Sequence, residues 1–146
     1  MKIALASDHA GFELKEFIRE YLTQKEYKIL DFGAFSSESV DYPDYAFPAS
    51  EAVSSGVADI GILICGTGTG MAITANKIHN IRAANCVTPE MAVMARSHNN
   101  ANILTYGSRL ISPELAVEIT EKFISTEFEG GRHQKRIIKI HYLTGS

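Results

Sequence analysis

The chain has 146 residues, 45% of them hydrophobic and 21% charged, with a formal net charge of −3. That is the length of one domain with ordinary globular composition, enough to bury a sizeable core. The acidic balance argues against nucleic acid or an anionic membrane surface as a partner, and no apolar run approaches the roughly 20 residues of a bilayer span.

Ile3 to Ala6 reads as a first strand; the apolar stretch there is short and stops at Asp8, which sets it apart from a signal peptide. Leu14, Phe17, Ile18, Tyr21 and Leu22 follow the i, i+3, i+4, i+7, i+8 spacing of an amphipathic helix. Tyr27 to Phe32 reads as a second strand. After a loop from Gly33 to Pro43, a helix is predicted over much of Ala46 to Ser54, with Pro48 either in its first turn or kinking it. Asp59 to Ile64 is the third strand, followed by a glycine-rich turn and a helix from Met71 to Lys77. Ile81 to Val87 is the fourth strand. Thr88-Pro89-Glu90 then supplies an N-cap, an N1 proline and a first-turn acid for a helix to about Arg96. Asn102 to Tyr106 is the fifth strand, and Ser112-Pro113-Glu114 opens a further helix with Leu115, Ile119 and Phe123 on its inner face. Gly130-Gly131 breaks the chain before a last helix from about His133 to Tyr142.

Strands alternating with helices imply βαβ units and right-handed crossovers. The expected fold is a three-layer, Rossmann-like α/β domain with a five-stranded parallel sheet, spanning 1–146 without a linker. Ligands of such sheets sit at the C-terminal strand edge, where strand order reverses. The loops after strands one and three, Ser7 to Gly11 and Cys65 to Gly70, are therefore expected to be neighbours.

Ile64-Cys65-Gly66-Thr67-Gly68-Thr69-Gly70 combines a buried strand, a glycine turn and a helix start. Backbone N–H groups and the positive helix end at such a turn favour negative charge, on a ligand or on a thiolate. The glycine spacing differs from the dinucleotide fingerprint, and no Gly-Lys-Ser/Thr follows as in a Walker loop. Cys65 at the strand tip is read as functional, whereas Cys86 inside an apolar strand is read as core. Two cysteines without metal-ligand spacing suggest reduced thiols in a cytoplasmic protein and no zinc site.

The other candidates each have two readings. Asp8 is an N-cap or a carboxylate for substrate hydroxyls, and His9 an exposed loop residue or a proton-transfer and anion group. His98 caps a helix end or, with Asn99 beside it at a strand edge, serves as a general acid. Arg132 and Arg136, four apart, form a solvated basic face or grip a phosphate. Arg109 is a further anion-binding candidate.

Taken together, Ser7-Asp8-His9-Ala10-Gly11, Val40-Asp41-Tyr42-Pro43, Ile64 to Gly70, Ser97-His98-Asn99 and Glu129-Gly130-Gly131-Arg132-His133 resemble type B ribose-5-phosphate isomerase across nearly the whole chain. The wider family includes galactose-6-phosphate isomerase subunits and allose-6-phosphate activity, so a six-carbon substrate stays open. The resemblance implies aldose–ketose isomerisation with neither an organic cofactor nor a metal. It makes Cys65 the base that shuttles a proton between C1 and C2, and His98 the acid of ring opening. Asp8 and Thr67 would handle hydroxyls. The backbone of Gly66, Thr67, Gly68, Thr69 and Gly70, with Asn99, would stabilise the enediolate. His9, Arg132 and Arg136 would hold the phosphate, with Arg109 added to them, and Tyr42 would shape the pocket. Some relatives use a glutamate in place of this cysteine. The resemblance also implies a homodimer, in some members paired into a homotetramer, whose pocket the second subunit completes. A phosphate- or nucleotide-sensing module without activity would use the same glycine turn but leaves Cys65 and His98 unexplained.

Overall fold

The computed structural model describes residues 1–146. In chain order the elements are β1 (Lys2–Ser7), α1 (Phe12–Gln24), β2 (Lys28–Asp31), α2 (Pro43–Ser54), β3 (Ile60–Cys65), α3 (Thr69–Ala75), β4 (Ala83–Asn85), α4 (Pro89–Asn99), β5 (Ile103–Gly107), α5 (Pro113–Ser125) and α6 (Arg132–Thr144). All strand pairs are parallel, and the sheet order is β2-β1-β3-β5-β4. The chain leaves β1 in one direction to β2 and returns past it to β3. The order therefore reverses between β1 and β3, and the loops that follow these strands lie side by side. Further along, β5 is inserted between β3 and the edge strand β4.

The sheet separates two apolar layers. Ile60, Ile62 and Ile64 of β3 face a cluster shared with Leu14 and Ile18 of α1, Ala92 and Ala95 of α4, and Ile119 and Phe123 of α5. The alternate residues Leu63 and Cys65 face a second cluster with Ala46 and Ala49 of α2 and Met71 and Ala75 of α3. A central strand buried on both faces needs an unbroken apolar run, which is what β3 has. Both cap signals read above are made: Thr88 Oγ1 accepts the Met91 N–H and Ser112 Oγ accepts the Leu115 N–H, each at 3.2 Å. No helix is long and apolar enough to cross a membrane.

Three local expectations change. The α2 helix starts at Pro43, which takes the early helical position, while Pro48 lies inside; Asp44, whose carbonyl would otherwise receive the N–H of residue 48, sits in the exposed first turn. β4 shrinks to three residues because it is an edge strand paired only with β5, and the Asn76 side chain bonds both the N–H and the C=O of Ala83. On α1, Phe17 is 44% exposed while Lys15 is fully buried. The Lys15 ammonium donates to Asp31 at 2.8 and 2.9 Å and to Glu16 at 2.9 Å, so paired carboxylates make burial of the charge tolerable.

Candidate active site

β3 ends at Cys65, and the chain turns at once into α3. Gly68, the residue capping α3, has φ +79°, a conformation glycine adopts without penalty. Its N–H donates to Cys65 Sγ at 3.1 Å. The thiol therefore lies at the base of the turn with a backbone donor already aimed at it. It is 5% exposed.

The loop after β1 lies alongside, as the switch-point argument requires: the Asp8 N–H donates to the Ile64 carbonyl at 3.2 Å. Asp8 Oδ1 accepts the Gly11 N–H at 3.0 Å, so one carboxylate oxygen closes the turn while the other has no protein partner. His9 Nδ1 lies 3.1 Å from the Val40 carbonyl and 3.2 Å from the Val40 N–H, which ties the loop before α2 to this edge and leaves Nε2 open. Tyr42 follows in that loop, its ring 2.8 Å from the point a Cβ on Gly70 would occupy. The Arg109 guanidinium lies 3.0 Å from the corresponding point on Gly66, and the Ser108 and Arg109 N–H groups donate to the Cys65 and Gly66 carbonyls. Thr67 and Thr69 are exposed on the turn, with Thr67 Oγ1 accepting the Thr69 N–H at 3.3 Å. Cys65, Asp8, His9, Tyr42, Gly66 to Gly70 and Arg109 are thus gathered at the C-terminal edge of the sheet.

His98, Asn99, Arg132 and Arg136 are not. α4 carries the chain back to the start of β5, so its C-terminal end lies at the N-terminal edge of the sheet. The Asn102 carbonyl there accepts the Gly61 N–H at 2.9 Å. Cys65 is four residues beyond Gly61, about 13 Å away along a parallel strand. The strand edge expected for His98 is therefore the opposite one from the thiol. His98 stacks on His133 with centroids 4.4 Å apart and planes 12° from parallel. The His133 Nε2 is 3.6 Å from the Glu129 carboxylate, and the Glu129 N–H holds the Ser97 carbonyl at 3.0 Å. Burial lowers the His133 pKa, as does positive charge on His98 and then Arg132, with Glu129 opposing. Arg132 and Arg136 are exposed on α6 beside this pair. Ligand atoms of His98, Glu129 and His133 lie within 4.8 Å of one another. Near-parallel rings aim their in-plane lone pairs along separate planes, however, so they do not converge on one ion.

One polar residue at the C-terminal edge gives no signal in the sequence. Asn85, at the end of β4, donates from Nδ2 to the Thr67 carbonyl at 3.3 Å and accepts the Thr105 hydroxyl at 3.2 Å on Oδ1. A lone asparagine in a short apolar strand carries no signal of such a role.

A parallel sheet whose switch-point loops present a thiol, a carboxylate, an imidazole and backbone donors is the frame of a small-molecule enzyme handling an anionic ligand. A model of the family described as Ribose/Galactose Isomerase matches residues 3–140. Ribose-5-phosphate isomerase B of Escherichia coli is 46% identical over 136 residues, covering 93% of this chain and 91% of that protein. The structure of the Clostridium thermocellum ribose-5-phosphate isomerase B superposes with a TM-score of 0.98 at 48% identity, covering 99% of this chain and 98% of the other. That of the Mycoplasma genitalium enzyme with bound ribulose-5-phosphate superposes with a TM-score of 0.95 at 41% identity, covering 99% and 97%. The chain belongs to the ribose/galactose isomerase family.

Proposed function

We propose that the chain, as one sugar-phosphate isomerase domain, interconverts ribose 5-phosphate and ribulose 5-phosphate through an enediolate. The observation that carries this reading is Cys65 Sγ at the tip of β3 with the Gly68 N–H upon it, beside the Asp8 carboxylate. The ribulose-5-phosphate bound to the 41% identical Mycoplasma genitalium enzyme supports the five-carbon substrate.

In this reading His98 donates a proton to the ring oxygen as its bond to C1 breaks, the C1 hydroxyl gives up its own proton to water to become the aldehyde, and Asp8 and Thr67 orient the hydroxyls. The Cys65 thiolate takes the proton from C2 of the open aldose. The electron pair moves through the C1–C2 bond onto the carbonyl oxygen, giving the enediolate. Sγ–H then returns the proton to C1 while the carbonyl forms at C2 and a proton passes between the two oxygens. The Gly66 to Gly70 N–H groups and Asn99 receive the developing charge, a kind of stabilisation worth about 3 kcal/mol per donor. His9, Arg132 and Arg136 hold the phosphate, with Arg109 beside Gly66 as an additional contact.

One chain cannot bring these groups together, because Cys65 and His98 belong to opposite sheet edges. A homodimer in which the His98, Asn99, Arg132 and Arg136 end of one copy covers the Cys65 end of the other accounts for the division. Exposed arginines and a partly buried histidine at one end, and an open glycine turn at the other, support that pairing. The reaction belongs to cytoplasmic sugar metabolism in this reading. A coupled assay on ribose 5-, allose 6- and galactose 6-phosphate, with chelator and no added metal, tests it. Turnover of ribose 5-phosphate well above the two hexose phosphates is the expected result. Preference for a hexose phosphate refutes the substrate, and tight phosphate or nucleotide binding without turnover refutes the enzyme.

A further inference from the structure

We propose that Asn85 is a positioning residue for the base: its side-chain amide orients the Thr67–Gly68 peptide so that the Gly68 N–H points at Cys65 Sγ. The inference rests on the isomerase reading only for its effect on turnover. A trans peptide is planar, with its C=O and N–H on opposite sides, so holding one fixes the other. The Thr67 carbonyl accepts no backbone donor; its partner is Asn85 Nδ2 at 3.3 Å. The opposite end of the same peptide donates to Sγ at 3.1 Å.

Three further observations show that the turn is built against Asn85. Thr105, fully buried, donates its hydroxyl to Asn85 Oδ1 and sets the amide orientation, since the Thr67 carbonyl can only accept. β4 is separated from β3 by β5, so Asn85, in register with Thr105, supports the turn from an edge strand on the far side. A Cβ on Gly68 would collide with Asn85 Oδ1, and one on Gly107 with the Thr67 backbone, so the turn crosses the end of β5 in direct contact with the amide. The peptide otherwise joins Thr67 to Gly68, whose φ is free to change, so Asn85 is the side chain that holds its carbonyl against a flip. A flipped peptide turns the Thr67 carbonyl toward the sulfur, replacing a donor by an acceptor that repels the thiolate.

The other charged or titratable groups around the turn are Asp8 and His9 after β1, Asp41, Tyr42 and Asp44 at the start of α2, and Arg109 after β5; the test leaves all of them unchanged. Asn85→Ala removes the amide without adding charge, whereas Asn85→Asp also sets a carboxylate beside the turn, which raises the midpoint by repulsion alone. The thiolate is read directly from its ultraviolet absorbance during a pH titration, each protein being compared with its Cys65→Ser counterpart and checked for folding by thermal melt. Wild type, Asn85→Asp, Asn85→Ala and Thr105→Val are compared. The midpoint should move upward in Asn85→Ala, enough to lower the thiolate population at neutral pH about tenfold, with a smaller shift in the same direction for Thr105→Val. The kcat for ribose 5-phosphate should fall with the thiolate population while KM stays within about a factor of two. An unchanged midpoint in folded Asn85→Ala overturns the inference, and if kcat nevertheless falls in it, Asn85 is a substrate contact. If Asn85→Ala does not fold, the midpoint of Thr105→Val decides in the same way. The titration needs no turnover, so its failure is distinct from failure of the isomerase reading.

Discussion

Mixing two inactive variants should restore activity if the site is shared between copies. The Asn102 carbonyl binds the Gly61 N–H, and Cys65 lies about 13 Å further along β3, with His98 set back beyond Asn102 in α4. No rotamer of a histidine spans that gap, so Cys65 and His98 of one chain cannot act on the same sugar. In the proposed two-fold dimer each site would take Cys65 from one copy and His98 from the other. Cys65→Ser and His98→Asn, unfolded together in equal amounts and refolded, should give homodimers and mixed dimers in statistical proportion, about half of them mixed. A mixed dimer holds one site with both residues native and one with neither, so the mixture should recover about a quarter of wild-type turnover. The coupled ribose 5-phosphate assay reads this directly. As a control, Cys65→Ser with Asp8→Asn should recover nothing, because both substitutions fall on the same sheet edge. Activity that stays at the mean of the parents in the first mixture would refute a shared site, and recovery in the second would refute the assignment of Cys65 and Asp8 to one edge.

Cys65→Ser alone should lower kcat by about 10² to 10⁴ while substrate binding by calorimetry persists, since a hydroxyl is a far weaker base in the same geometry. Lys15→Met should cost about 3 kcal/mol in urea unfolding at fixed protein concentration, because it leaves the Asp31 carboxylate, 20% exposed, without its ammonium. Wild-type stability already within about 1 kcal/mol of the variant would show that pair to be unimportant. The His133 pKa is lowered in the folded chain, chiefly by burial and His98, so the unfolded state binds more protons just below the ordinary histidine value near 6.5. Stability should therefore fall as pH drops through that value, and His133→Gln should flatten the dependence of Tm on pH there. Burial pushes the Cys86 thiol up to about 11, so a disulfide reagent at about pH 8 should label Cys65 alone in the native protein and both cysteines in denaturant. Native labelling of the Cys65→Ser variant would contradict the burial argument.

Much of the architecture follows from local pattern. Period-3.6 and continuous apolar runs identify the elements, Thr88 and Ser112 announce two helix starts by their cap hydroxyls, and the β1–β3 switch point follows from βαβ handedness. The neighbourhood of Asp8, Cys65 and the glycine turn was legible for the same reason. Local pattern does not encode which face of α1 carries a buried charge. Lys15 is inside because Asp31, at the end of a neighbouring strand, is there to meet it, whereas Phe17 looks as apolar as any core residue yet points outward. The insertion of β5 between β3 and β4, and the support Asn85 gives to a turn two strands away, depend on contacts far apart in sequence. His98 could have been placed from the pattern, because a helix leading into the next parallel strand ends at the opposite edge from the loops that follow the strands. What the residues alone determined was the set of chemical groups and the elements that carry them. Which groups one chain can bring together was decided by the direction of each helix across the sheet, which sets the thiol and the imidazole at opposite edges.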